Sequence, residues 1–134
     1  MLYTAQYRYP GQDRLDITVK GNNVAGKLYA PTWDIVMGVK NGTITEEEYT
    51  RRYYDILSTK HNNDVEAVKQ TVNLVKMITG DGNMPERDIT FVCFCPANIF
   101  CHRHLLVKWL IHNFNIEKYY GGEKVEINKV WLVR

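Results

Sequence analysis

Cysteine is scarce in this chain of 134 residues. There are three, an odd number, and all lie between positions 93 and 101. A disulfide scaffold spreads its cysteines along the chain, and a reducing compartment keeps them as thiols. The cluster is therefore read as a site or as small buried apolar side chains, not as a framework. Charge of one sign is also lacking: 17 Lys and Arg against 15 Asp and Glu give a formal net charge of +2, with basic and acidic residues alternating. Nucleic acid is not indicated by so small and dispersed a charge. No apolar run has the length and evenness of a membrane-spanning helix. The start, Met1-Leu2-Tyr3-Thr4-Ala5-Gln6-Tyr7-Arg8, lacks the basic-then-apolar layout of a secretory signal, which makes a cytoplasmic chain the expectation. Repeats, low-complexity stretches and linkers are missing too, so residues 1–134 are expected to form one domain.

What is present is aromatic and periodic. Nine tyrosines and three tryptophans supply flat surfaces with polar tips, suited to half-buried cleft walls. Leu2–Tyr9 reads as a strand, with Tyr3, Ala5, Tyr7 and Tyr9 on one face; Leu15, Ile17 and Val19 alternate in a second, paired as a hairpin or as a sheet neighbour. A short helix is expected over Trp33–Val39. Thr45-Glu46-Glu47-Glu48 is a capping box opening a helix with Tyr49, Tyr53, Ile56 and Leu57 inward. Asn63 or Asp64 caps another, with Val65, Val68, Val72, Val75 and Ile78 at helical spacing up to Gly80. Ile89–Cys95 is a continuous β-branched and aromatic run, the pattern of a central strand covered on both faces, stopped by Pro96. A helix is expected from about Asn98 to Asn113, a turn at Gly121-Gly122 and a last strand over Val125–Val133. Interleaved strands and helices predict an α/β layered sandwich: a small, mainly parallel or mixed sheet of about four to five strands flanked by helices.

Chemistry concentrates in Phe91–Leu110, which holds Cys93, Cys95, Cys101, His102, Arg103 and His104. Ligands of open α/β sheets bind outside the carboxyl ends of strands, where loops lead into helix N-termini. Three readings stand side by side. In the first, the turn is an anion-binding catalytic loop: Cys101 is the reactive thiol, its pKa lowered by the helix start, Arg103 clamps the anion, and His102 serves as acid/base or orienting group. Cys95, Asn98 and His104 would line the ligand site, with Tyr7 and Arg8 reaching it from the first strand. Cysteine phosphatases use similar logic, but Cys95 and Arg103 have seven residues between them, more than that signature allows. In the second reading, Cys95, Cys101 and His102 or His104 hold zinc. In the third, the cysteines pack as small hydrophobes.

The run Val92-Cys93-Phe94-Cys95-Pro96, followed by Cys101-His102-Arg103-His104-Leu105-Leu106, resembles the signature of domain-of-unknown-function family 488, in which an apolar strand ending in cysteine precedes a Cys-His-Arg that opens a helix. Ala30-Pro31-Thr32-Trp33 and Glu48-Tyr49-Thr50-Arg51-Arg52-Tyr53-Tyr54 are also similar to members of that family. The resemblance implies a compact α/β fold, an intracellular protein and an undefined enzymatic activity, in a family with small members in phages and mobile elements. One departure stands out: the family's early Asp-Val-Arg is met only by Asp16-Ile17-Thr18, without the arginine. The expected function is that of a small enzyme acting on a phosphorylated or nucleotide-like ligand at the Cys95–Arg103 turn. The alternatives are a non-catalytic nucleotide-binding or sequestering module and a domain with a structural zinc. The sequence names no cofactor and no oligomeric state.

Overall fold

The computed structural model describes residues 1–96 and 99–134. Five strands, β1 (Leu2–Gln6), β2 (Arg14–Asp16), β3 (Ile89–Cys93), β4 (Tyr120–Ile127) and β5 (Val130–Val133), form one sheet in the order β2-β3-β1-β4-β5. The first four run parallel, and β5 folds back antiparallel on β4. Among the described residues five α-helices interleave with the strands: α1 (Val24–Lys27), α2 (Trp33–Lys40), α3 (Glu46–Asn63), α4 (Val65–Thr79) and α5 (His102–Phe114). This is an α/β layered sandwich, as the alternation of strand and helix periodicities predicts. None of the described helices is long and apolar enough to cross a membrane.

β1 and β2 are not adjacent, because β3 inserts between them, with Leu2 opposite Ile89 and Arg14 opposite Thr90. β1 also stops at Gln6, short of Tyr9, where the chain turns and Tyr9 donates its N–H to the Gln6 carbonyl. From there the loop crosses β3 on one face of the sheet. Tyr9 packs there with Ala5 and Val92, and Asp13 accepts hydrogen bonds from Thr90 Oγ1 and Lys124 Nζ. On the opposite face Leu2, Phe91 and Cys93 join Tyr49, Tyr53, Leu57, Ile78 and Leu106 in the main core. Both faces of β3 are thus buried as its apolar run requires, one by helices and the other by an aromatic loop.

The helix ends follow local chemistry. Thr45 Oγ1 accepts from Glu48 N–H at 3.0 Å, and Asp64 Oδ1 from Glu66 N–H at 2.9 Å. Glu48 does not reach back to complete the capping box, because Arg51 and Arg52 take its carboxylate. Gly80 ends α4 in the left-handed region, φ 73°. The buried stripe of α4 differs from the valine series: Val65 and Val68 are 67% and 41% exposed, while Ala67, Thr71, Leu74 and Ile78 face inward. A small residue and a hydroxyl suit that face because the buried Tyr29 hydroxyl sits 2.8 Å from Thr71 Oγ1.

Two boundaries move. Gly121-Gly122 is not a turn but an irregularity inside β4, where the register against β1 shifts between Leu2 and Tyr3. Gly122 has φ 112°, and a Cβ on Gly121 would stand 2.2 Å from the Tyr3 ring. The reversal falls instead at Asn128-Lys129, both at positive φ, so the predicted last strand is a hairpin of β4 and β5. Likewise α5 begins at His102, with Cys101 as its extended N-cap at φ −160°. Arg103 binds the carbonyls of Cys95 and Pro96, which holds that segment outside the helix.

Candidate functional site

The carboxyl ends of β2 and β3 lead into segments of which Thr18–Lys20, Cys93–Pro96 and Ile99–His102, with α2, line a cavity of about 380 Å³. That placement follows the rule for open α/β sheets, and the size suits a small molecule. Cys93, Cys95, Cys101 and His102 line it beside the rings of Trp33 and Phe100, and the exposed Lys20 and Lys40 stand at its border. Lys20 Nζ lies 5.3 Å from the Trp33 ring centroid, within cation–π range.

The three sulfurs all lie within 4.8 Å of one another. Cys93 and Cys101 are buried and Cys95 is half-buried. The Cys93 and Cys101 sulfurs touch, yet their Cα atoms are 7.9 Å apart, farther than a disulfide spans without backbone movement. This backbone spacing favours two thiols in contact over a disulfide. Burial raises the Cys95 thiol pKa, against the opposing charges of Arg103 and Lys40.

His102 is fixed by its far side. Its Nε2 lies 2.7 Å from the Ile17 carbonyl oxygen, which can only accept, so Nε2 carries the proton and Nδ1 presents a lone pair. That Nδ1 is 3.7 Å from Cys101 Sγ. Burial, with Arg103 nearby, pushes the imidazole pKa down to about 4 and keeps the ring neutral. A thiol, a base and a group orienting the base thus stand in sequence, with Cys101 at the N-cap of a 13-residue helix whose positive end favours a thiolate.

Arg103 is fully buried and is not among the residues that line the cavity. Its Nε and Nη2 donate to the two carboxylate oxygens of Glu123 on β4, at 3.0 and 2.8 Å. Nη1 donates to Cys93 Sγ at 3.1 Å and to the Cys95 carbonyl at 3.0 Å, and Nη2 also to the Pro96 carbonyl at 3.0 Å. All five N–H groups are engaged, so the anion clamp expected of Arg103 has no donor to offer. The side chain holds the loop instead. Burial alone would raise the Glu123 pKa, but the hydrogen bonds and charge of Arg103 keep it below the ordinary value.

The remaining expected residues scatter. His104 lines a second cavity of about 450 Å³ with Lys108 and Tyr54, on the far side of Cys101. Tyr7 and Arg8 do not line the first cavity: Tyr7 stacks on Phe94 at 4.3 Å, and Arg8 pairs with Glu126 at 2.8 Å. Asn98 lies outside the described residues. Of Asp16-Ile17-Thr18, Ile17 orients His102 through its carbonyl and Thr18 lines the cavity.

The family model described as the Active DUF488-N3 subclade matches residues 19–113, which include the three cysteines, His102, Arg103 and α2. The chain belongs to the DUF488 family. No curated protein and no solved structure matches it. The DUF488 match ends before β4, so Glu123, the partner of Arg103, lies beyond it. Glu123, Lys20, Lys40 and Trp33 were not legible as site residues. The one signal for Glu123 was an acid two positions before Val125, on the inward face of a strand.

Proposed function

We propose that this DUF488 protein is a small thiol-dependent enzyme acting on a nucleotide-like anion bound in the 380 Å³ cavity. One observation carries the reading: Cys101 Sγ lies 3.7 Å from a His102 Nδ1 whose tautomer is set by the Ile17 carbonyl. The neutral imidazole accepts a hydrogen bond from the Cys101 thiol at that nitrogen and so orients the sulfur toward the ligand. The helix start favours the charged sulfur, and a neutral imidazole is free to accept. Trp33 and Phe100 offer faces for a base, while Lys20 and Lys40 take the role of anion contacts that Arg103 cannot fill. The matching subclade's description as active supports catalysis over mere binding.

Titration of the reduced protein with a panel of adenine and guanine nucleotides, followed by tryptophan fluorescence and product analysis, tests this. A member of the panel is expected to quench fluorescence and to be turned over. Lys40→Glu should weaken its binding about tenfold, the size of one exposed charge contact reversed. Cys101→Ser should abolish turnover while leaving binding. Binding with undiminished turnover in Cys101→Ser overturns the assignment, and binding insensitive to thiol alkylation with no turnover makes the chain a sequestering module.

A further inference from the structure

Three thiols meeting at one cavity wall exceed what a single nucleophile requires. Cys93 ends β3, Cys95 follows in the loop and Cys101 caps α5, so two elements and a turn deliver sulfurs to one point. All three lie within 4.8 Å of one another. Sulfurs held tetrahedrally about 2.3 Å from a zinc ion sit about 3.8 Å apart, so the cluster needs only adjustments of the order of 1 Å to admit one. A disulfide fits the backbone less well, because the Cys93 and Cys101 Cα atoms stand 7.9 Å apart.

The surroundings also suit thiolates. Arg103 Nη1 donates to Cys93 Sγ and to the Cys95 carbonyl, so one buried guanidinium nitrogen fixes two of the sulfur-bearing residues. N–H donors and charges of this kind orient ligands from outside the coordination shell. Zinc with three thiolates carries one net negative charge, while the Arg103–Glu123 pair beside it sums to zero. The remaining charge faces the cavity that all three cysteines line.

We propose that Cys93, Cys95 and Cys101 bind one zinc ion through their three sulfurs, with the fourth coordination position open to the cavity. The ion would hold the sulfur that the proposed reaction needs. If that reading of Cys101 is right, the loaded protein is an inactive state that chelation reverses. Binding itself does not depend on that reading.

Cobalt(II) is the probe, because its thiolate charge-transfer absorption scales with the number of sulfurs. Reduced, chelator-treated protein is expected to bind one cobalt per chain with tetrahedral bands and the intensity of three thiolates, and zinc should displace it. Cys95→Ser, at a half-buried position, should lose more than about 100-fold in affinity, beyond what loss of an outer-shell partner produces. Its circular dichroism and melting curve, matched to the parent, show that the fold is intact. Absence of a charge-transfer band at millimolar cobalt in the folded, reduced protein overturns the proposal. So does undiminished binding in Cys95→Ser, or a mass two protons lower from a Cys93–Cys101 disulfide that forms in preference to metal binding. Alkylation kinetics at Cys101 in the metal-free protein read the enzyme proposal separately: a slow Cys101 there sinks that reading and leaves the metal site standing.

Discussion

At the scale of single residues, the site depends on partners that neighbouring sequence does not announce. Arg103 stands beside His102 and Cys101 in the chain, and on local grounds it reads as an anion clamp. A carboxylate 20 residues later withdraws it from that task. Glu123→Gln is expected to cost about 3–5 kcal/mol in denaturant unfolding, because it leaves a buried guanidinium without its counter-charge. The folded-state pKa of Glu123 is depressed, so its stabilisation is present above the unfolded carboxyl pKa and drains away as the pH falls through the folded value. The parent should therefore lose its advantage over Glu123→Gln on acidification, which unfolding curves at pH 7 and at acidic pH will show. The thiol and the imidazole were legible because both come from the helix start; their orientation was not, since it comes from the Ile17 carbonyl.

At the scale of elements, caps and terminators spoke clearly, and faces less so. Thr45 was readable because a hydroxyl three residues before a glutamate has one strong local use. Replacing it with alanine should lower stability by about 1 kcal/mol, measured by chemical denaturation, with the cavity unaltered. In α4 the valines advertised a stripe, but Val65 and Val68 point outward, because burial answers to what the helix meets. Tyr29 needs a hydroxyl opposite it, and Thr71 supplies one. The glycine pair at 121–122 misled for a related reason. Punctuation by glycine marks any place where a side chain cannot fit, and here the obstacle is a tyrosine ring from a neighbouring strand. The Cys101 cap shows the same limit: nothing local says that the Cys95 and Pro96 carbonyls bind Arg103 and so delay the helix.

At the scale of the whole molecule, the fold class followed from alternating periods, but the strand order did not, since periodicity carries no record of which strands pair. The loop from β1 to β2 crosses β3 and is pinned by Lys124, whose ammonium donates to the Tyr9 hydroxyl, Asp13 and Thr90 at 2.8, 3.1 and 3.1 Å. Lys124→Ala should cost about 1–3 kcal/mol and speed hydrogen exchange in residues 7–13, with exchange mass spectrometry locating the change. The reach of Arg103 across to β4 bears on how the chain is made. Until β4 leaves the ribosome, a nascent chain ending near Ile116 already contains the cysteines, the histidine and both lysines, yet two of the five guanidinium N–H groups have no carboxylate to meet. The guanidinium that holds the Cys95 loop stays without its counter-charge before then, so the cavity wall is secured only once β4 has joined the sheet.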